Sequence, residues 1–396
     1  VSARDKAAGR APYEIAIAGG ALMAAAMGIG RFVYTPLLPH MQEALHLTPA
    51  TLGWIASANY LGYLAGALLT TAMRPPAAPR RAIAFGVVLS AVTTGLMAVV
   101  SSVALFAVLR FLGGVASALV LVYTAPIVFM RLAEMRAESY VSLLFGGVGA
   151  GMAISALLVA GLAAAGFGWR IQWVACGFVT ALAMLALRHI PDLRRAEASA
   201  SRDKLQRPAG LGALLASYTL FGFGYVITAT FIVVIVRESV ALRPLEPVIW
   251  TIVGLAGVPS VWAWTLLANR VGLFAAYALA CVTEAIGVAA SVVATSIPVV
   301  ILAAILLGGT FMAITSLGLA GGRRMASSDP VRVLALLTAG FGLGQIVGPA
   351  LAGFLRESTG SYLAPSLAAA AALVIAAALS APLNKLRLTA QPSSSP

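Results

Sequence analysis

Apolar runs of about twenty residues, separated by short polar breaks, recur from residue 13 to residue 383. A helix of that length spans about 30 Å, the thickness of a bilayer's hydrocarbon layer. The runs are continuous and rich in Ala, Leu and Gly rather than alternating at every second residue, which argues for helices and excludes an outer-membrane barrel. The pattern predicts helices at 13–37, 50–73, 81–100, 104–130, 139–165, 170–188, 210–236, 247–268, 272–294, 297–319, 332–356 and 361–383. The chain therefore reads as an all-α membrane protein of twelve transmembrane helices, with no soluble domain between them. The first run, Ile15 to Leu38, is too long for the core of a signal peptide and has no small-residue cleavage site ahead of Pro36 and Pro39. It is expected to be the first helix of the mature chain.

Composition agrees with the pattern. Of 396 residues, 61% are hydrophobic and 10% charged, with mean hydropathy +0.97, whereas a soluble globular chain carries about 25% charged residues. The net charge of +13 would suggest nucleic acid in a soluble protein, but here it sorts by loop. With the N-terminus cytoplasmic, 20 of the 26 Lys and Arg residues fall on the inner side, and Arg170, Arg237, Arg243 and Arg356 on the outer. This is the positive-inside asymmetry of a bacterial inner-membrane protein with both termini cytoplasmic. It makes the bilayer, not nucleic acid, the expected partner. Cys176 and Cys281 lie in apolar helices and read as small hydrophobes. No metal or other cofactor is expected.

A polar stretch containing Arg194, Arg195, Glu197, Arg202, Asp203, Lys204 and Arg207 divides the chain. It gives an N-terminal six-helix half at 1–187, a cytoplasmic linker at 188–209, a C-terminal six-helix half at 210–384 and a cytoplasmic tail at 385–396. The halves echo each other. Leu112-Gly113-Gly114 recurs as Leu307-Gly308-Gly309, and Gly147 and Gly151 recur as Gly344 and Gly348. Duplicated halves of this kind are a feature of secondary transporters.

Several motifs carry a more specific resemblance. Leu267-Ala268-Asn269-Arg270-Val271-Gly272 follows helix 8, while Gly66, Leu68 and Arg74 mark the end of helix 2, with Thr70 at a position that is usually acidic. Helix 4 contains Leu109-Arg110-Phe111-Leu112-Gly113-Gly114, and helix 11 contains Gly344-Gln345-Ile346-Val347-Gly348-Pro349. With these motifs the chain resembles the major facilitator superfamily of secondary transporters over its whole length. Gly28 to Pro39 is similar to the superfamily's uncharacterised bacterial YbfB-like branch. The resemblance implies two pseudo-symmetric six-helix halves, a central cavity lined by helices 1, 4, 7 and 10, gating roles for Arg74, Asn269 and Arg270, and a coupling role for Arg110. Helix 5 lacks the Gly-Pro usual in the superfamily's drug antiporters.

Two arginines, Arg31 and Arg110, fall within predicted helices at similar depth, each about six residues from the outer end. An arginine near the centre of a membrane helix costs about 2.5–3.5 kcal/mol on insertion scales, so each needs a partner or a function. The only acid on the four cavity-lining helices is Glu14 at the inner end, which makes the cavity net positive. A guanidinium's planar fork suits carboxylate, phosphate or sulfonate. The alternative is that each arginine snorkels outward or donates to backbone carbonyls.

Around these residues, Tyr34 and Thr35 lie one turn from Arg31, and Ser117 and Thr124 share the Arg110 face. Tyr218, Phe221, Tyr225 and Thr228 form a stripe at helical spacing. Asn59, Tyr63 and Gln345 are further lining candidates, with interhelical packing as the alternative for all of them. Glu284 is the only acid deep in a predicted span and could carry a proton, although helix 9 is peripheral in the implied architecture. The three histidines, His40, His46 and His189, sit at loop positions.

The expected function is secondary active transport of a small solute, an organic anion, by alternating access and with possible proton coupling; the expected state is a monomer. A broad-specificity drug or metabolite antiporter is the alternative, and a receptor or scaffold is the reading from another class. An enzyme is not expected, because no Ser/His or His/Glu constellation lies in the spans, and no phosphate-cradling Gly-rich loop is present to bind a nucleotide.

Overall fold

A computed structural model of the chain describes residues 11–72, 78–191, 209–326 and 330–385. Arg74, most of the 188–209 linker and the 386–396 tail lie outside the described residues. Within them every regular element is helical. The helices are α1 (Pro12–Leu45), α2 (Pro49–Ala72), α3 (Pro79–Leu96), α4 (Val103–Glu134), α5 (Val141–Ala164) and α6 (Trp169–His189) in the first half. The second half contains α7 (Leu211–Glu238), a broken α8 (Arg243–Gly257 and Ser260–Val271), α9 (Leu273–Val293), α10 (Ile297–Met325), α11 (Pro330–Thr359) and α12 (Leu363–Lys385).

Ten of these helices are long and apolar enough to cross a membrane, and the broken α8 is an eleventh. The remaining segment, α3, spends its first turn on Pro79, Arg80 and Arg81 and is less apolar, though it packs in the same bundle against α4 and α6. Successive helices run in opposite directions, so both ends of the described chain lie on one face of the bundle, here the terminal face. The opposite face is the distal face.

Three features depart from the hydropathy pattern. First, α1 does not stop near residue 37 but continues to Leu45 through Pro36 and Pro39. Second, α1 is not a uniform helix. Residues Ala24–Ile29 form a π segment, with the Gly30 N–H donating to the Ala25 carbonyl at 2.8 Å. A proline has no N–H and crowds the preceding turn, and the turn ahead of Pro36 is correspondingly rearranged. The Thr35 N–H donates to Phe32, three residues back, at 3.2 Å. The Arg31 carbonyl is thereby left to another donor. Third, α8 bends by 43° at its break, next to Pro259.

The halves meet along α2–α11, α5–α8 and α1–α7. The α2–α11 seam is close toward the distal face, where Gly53 lies against Pro349 and Gly353 against Pro49. The α5–α8 seam closes around Gly149, where an added Cβ would lie 2.5 Å from the Gly254 carbonyl oxygen. Small residues let backbones approach this closely. The glycines that recur between the halves are not the ones at the seam. Gly147 and Gly151 pack on Gly20 and Ala24 of α1, and Gly344 and Gly348 pack on α7, each pair within its own half. Their neighbours Gly146, Gly149 and Gly353 face the opposite half.

Candidate functional site

The rearranged turn of α1 places Arg31 where the two halves meet. Arg31 is 3% exposed. Its Nη2 donates to Gln345 Oε1 on α11 at 2.8 Å, across 314 residues of sequence. Its guanidinium carbon lies 4.2 Å from the ring centre of Tyr63 and 4.8 Å from that of Tyr60, both on α2, distances at which a cation is attracted by an aromatic face. Gln345 Nε2 in turn donates to the Tyr225 hydroxyl on α7.

Arg110 is as deeply buried, at 4%, but its partners are of a different kind. Its Nη1 donates to the Gly30 carbonyl at 2.8 Å and its Nη2 to the Arg31 carbonyl at 2.5 Å, filling acceptors that the irregular turn of α1 exposes. The Leu112-Gly113-Gly114 motif has a local physical reason. A Cβ on Gly114 would overlap the Asn59 carbonyl, so α2 and α4 touch backbone to backbone there, and Asn59 Nδ2 donates to the Arg110 carbonyl at 2.7 Å. Among the described residues neither arginine pairs with a carboxylate, and the Nε of each is buried without a hydrogen-bond partner.

The stripe on α7 divides. Tyr218, Phe221 and Tyr225 join Phe311 of α10 and Phe341 of α11 in a stack of near-parallel rings. Tyr225 and Phe341 lie 5.8 Å apart at 3°, and Phe221 and Tyr225 lie 5.1 Å apart at 24°. Thr228, one turn on, is buried with its hydroxyl unpartnered. Tyr34 donates to the Leu52 carbonyl at 3.1 Å, and Thr35 crosses the seam to the Ala229 carbonyl at 2.7 Å. Both line a cavity of about 10 Å³ beside Arg31, Arg110, Ala56, Tyr60 and Thr230, a volume on the scale of a single water. The site is thus closed around its own side chains.

Other expected residues lie elsewhere. Ser117 donates back to the Gly114 carbonyl of its own helix. Thr124 is fully buried, and its methyl group faces Gly19 of α1. Asn269 and Arg270 are exposed at the terminal end of α8. Glu284 is fully buried on α9, and neither carboxyl oxygen has a hydrogen-bond partner among the described residues. Tyr60, Phe311 and Phe341 were not singled out in the sequence. The i, i+3 pairing of Tyr60 with Tyr63 was the available signal for the first, and none of the helix-4 or helix-11 motifs pointed to the other two.

Toward the distal face, further bonds join the halves. Arg237 of α7 pairs with Glu43 of α1 while also holding Glu246 of its own half at 3.1 Å. Ser57 donates to the Ile346 carbonyl at 2.7 Å, and the Ala50 N–H donates to Glu357 at 3.3 Å. Beside this latch, α5 and α8 splay to leave a cavity of about 230 Å³ lined by Pro36, His40, Val159, Glu246 and Trp250 among others.

The fold has close counterparts. A single-residue variant of the nucleoside transporter NupG superposes with a TM-score of 0.72 at 15% identity, covering 93% of this chain and 99% of that one. A bacterial homologue of the human lysosomal transporter Spinster, inward-facing and occupied, gives 0.72 at 13% identity, covering 97% and 100%. In sequence, the chain is 29% identical over 177 residues to the probable transporter SCO4007 of Streptomyces coelicolor, covering 44% of this chain and 40% of that protein. It is 26% identical over 178 residues to the uncharacterised MFS-type transporter YceJ of Bacillus subtilis, covering 43% and 44%. The matches thus span less than half the length of these relatives. The family model for the uncharacterised MFS-type transporter YbfB matches residues 23–381. With that match over most of its length and the helical bundle described above, the chain belongs to the YbfB-type family of major facilitator transporters.

Proposed function

We propose that the protein is a secondary transporter for a small organic anion, driven by a proton or solute gradient and working by alternating access across the bacterial inner membrane. The observation that carries this reading is the pair of buried guanidinium groups with no carboxylate partner among the described residues, one of which bridges the two halves. Arg31 is held by a neutral amide and by aromatic faces, partners that an anion can replace with a stronger charge-assisted contact. The flat ring stack beside it suits a planar or apolar body on the solute.

Alternating access is supported by the placement of this contact. A solute that takes Arg31 from Gln345 removes one of the bonds joining the halves and so favours their separation. The sorting of basic residues favours the terminal face as cytoplasmic. The latch of Glu43, Arg237, Ala50 and Glu357 then closes the outer side. The protein acts as a monomer on this reading, since each chain carries both halves of the site. A drug or metabolite antiporter remains the rival within the class.

The test is a thermal-shift screen of purified protein against aromatic and aliphatic carboxylates, sulfonates, organic cations, nucleosides and sugars, followed by flux into liposomes. Anions alone should stabilise the parent, and Arg31→Ala should bind and transport none of them while reaching the membrane at the parent's level. Stabilisation by cations or neutral solutes instead, or undiminished flux in Arg31→Ala, would sink the anion reading.

A further inference from the structure

An arginine side chain stays protonated in proteins, and a buried charge is ordinarily paired with its opposite. Arg31 and Arg110 depart from that rule together. They are 3% and 4% exposed, and Arg110 Nη2 donates to the Arg31 carbonyl at 2.5 Å, so the two residues meet directly. The acceptors that hold them are the Gln345 amide and the Gly30 and Arg31 carbonyls, all of them neutral. Among the described residues no carboxylate pairs with either guanidinium.

Both arginines line one cavity of about 10 Å³, together with Tyr34 and Thr35 of α1, Ala56 of α2 and Thr230 of α7. The hydroxyl groups here have spent their hydrogens elsewhere. Tyr34 donates to the Leu52 carbonyl at 3.1 Å, Thr35 to the Ala229 carbonyl at 2.7 Å and Thr230 to the Val226 carbonyl at 2.7 Å. The Nε of each arginine, by contrast, is buried without a hydrogen-bond partner. Among these side chains the unspent donors are therefore guanidinium N–H groups, and they are positive.

Size and charge together select the occupant. A carboxylate, phosphate or sulfonate brings several heavy atoms and does not fit a volume on the scale of a single water. A cation is repelled by both guanidinium groups. Water fits, but it leaves two buried positive charges unanswered. A monatomic anion is little larger than water and supplies the missing charge.

We propose that this cavity is a halide site, with chloride held between Arg31 and Arg110 as the counter-ion of the closed transporter. The site goes beyond the transport reading, because a halide answers the buried charge whether or not an organic anion is carried. Its walls come from both halves, the arginines from the first and Thr230 from the second. A bound halide thus sits at the seam and favours the arrangement in which the halves are closed around it.

The experiment is chloride nuclear magnetic resonance on the purified full-length protein in detergent, with sulfate as the balancing anion and no organic solute present, so that the result bears on this cavity alone. The parent should broaden the chloride line saturably, and bromide should compete for the same site. Ala56→Val keeps both arginines but adds methyl groups to the cavity wall, and the saturable broadening should be lost while the melting temperature stays near the parent's. Crystals of the parent grown in bromide should show an anomalous peak between the Arg31 and Arg110 guanidinium groups, a readout that does not depend on the variant folding. No saturable broadening in the parent would show that the cavity holds water only and would overturn the proposal. Broadening that survives unchanged in Ala56→Val, or bromide found only at other places on the protein, would overturn it as well.

Discussion

Arg31 of α1 and Arg110 of α4 lie side by side, are almost equally buried and have no carboxylate partner among the described residues, yet they are held in opposite ways. Arg110 donates to two backbone carbonyls of α1 within its own half. Those acceptors cannot leave without unwinding the turn that presents them, so the contact is part of the half's rigid frame. Arg31 donates to a side-chain amide in the other half and rests on two tyrosine faces. Each of these partners can rotate away or separate as the halves move. On the anion reading proposed above, burial does not by itself mark a binding arginine; the exchangeability of its partners does.

The largest effect that would break or confirm this comparison is expected from Arg110→Gln. The shorter amide leaves the Gly30 and Arg31 carbonyls without the guanidinium, and hydrogen bonds to a charged group are worth about 1.5–3 kcal/mol each. A loss of about 3 kcal/mol should appear as a much lower melting temperature in detergent and as poor accumulation in the membrane. Normal stability would show that Arg110 is not the staple described here.

A smaller effect is expected from Asn59→Leu, which removes the donor to the Arg110 carbonyl at the α2–α4 contact. A neutral hydrogen bond is worth about 1 kcal/mol, so a modest drop in melting temperature should accompany unchanged anion affinity. If affinity fell more than stability, Asn59 would belong to the binding region instead.

The smallest effect, and the one that sharpens the contrast most, is expected from Tyr63→Leu. Loss of one cation–π face costs about 0.5–1 kcal/mol. That corresponds to a change of a few-fold in anion affinity measured by titration, with melting temperature near the parent's. A strong destabilisation would place Tyr63 in the frame with Arg110.

Much of the fold was legible in the sequence because membrane helices obey a local rule. An apolar run of sufficient length must satisfy its own backbone hydrogen bonds, and helix does so wherever the run occurs. The all-helical bundle and the placement of Arg31 and Arg110 within its helices could be read in this way, and Arg31, Tyr34 and Thr35, expected to lie together, do line one small cavity. The local irregularities were harder to see. The π segment of α1 follows from how a proline-bearing helix packs against α4 and α5, and the presence of Gly28, Gly30 and Pro36 shows only that the backbone there is permissive. The recurring glycines are ambiguous for a similar reason. A small residue announces a close approach but not which helix approaches, and Gly147 turned out to face α1 while Gly149 faces α8.

The sequence by itself determined that this chain is an all-helical protein of the bilayer, and that two positive charges, Arg31 and Arg110, fall within its helices. Only the tertiary structure decided what those charges meet. Whether Arg31 finds a carbonyl or an amide depends on a residue 314 positions away. Whether Glu284 finds any partner depends on the helices packed around it. Hydropathy is summed along the chain, but hydrogen bonds are made across it, and a side chain's partners are fixed only when distant helices are brought within about 3 Å of each other.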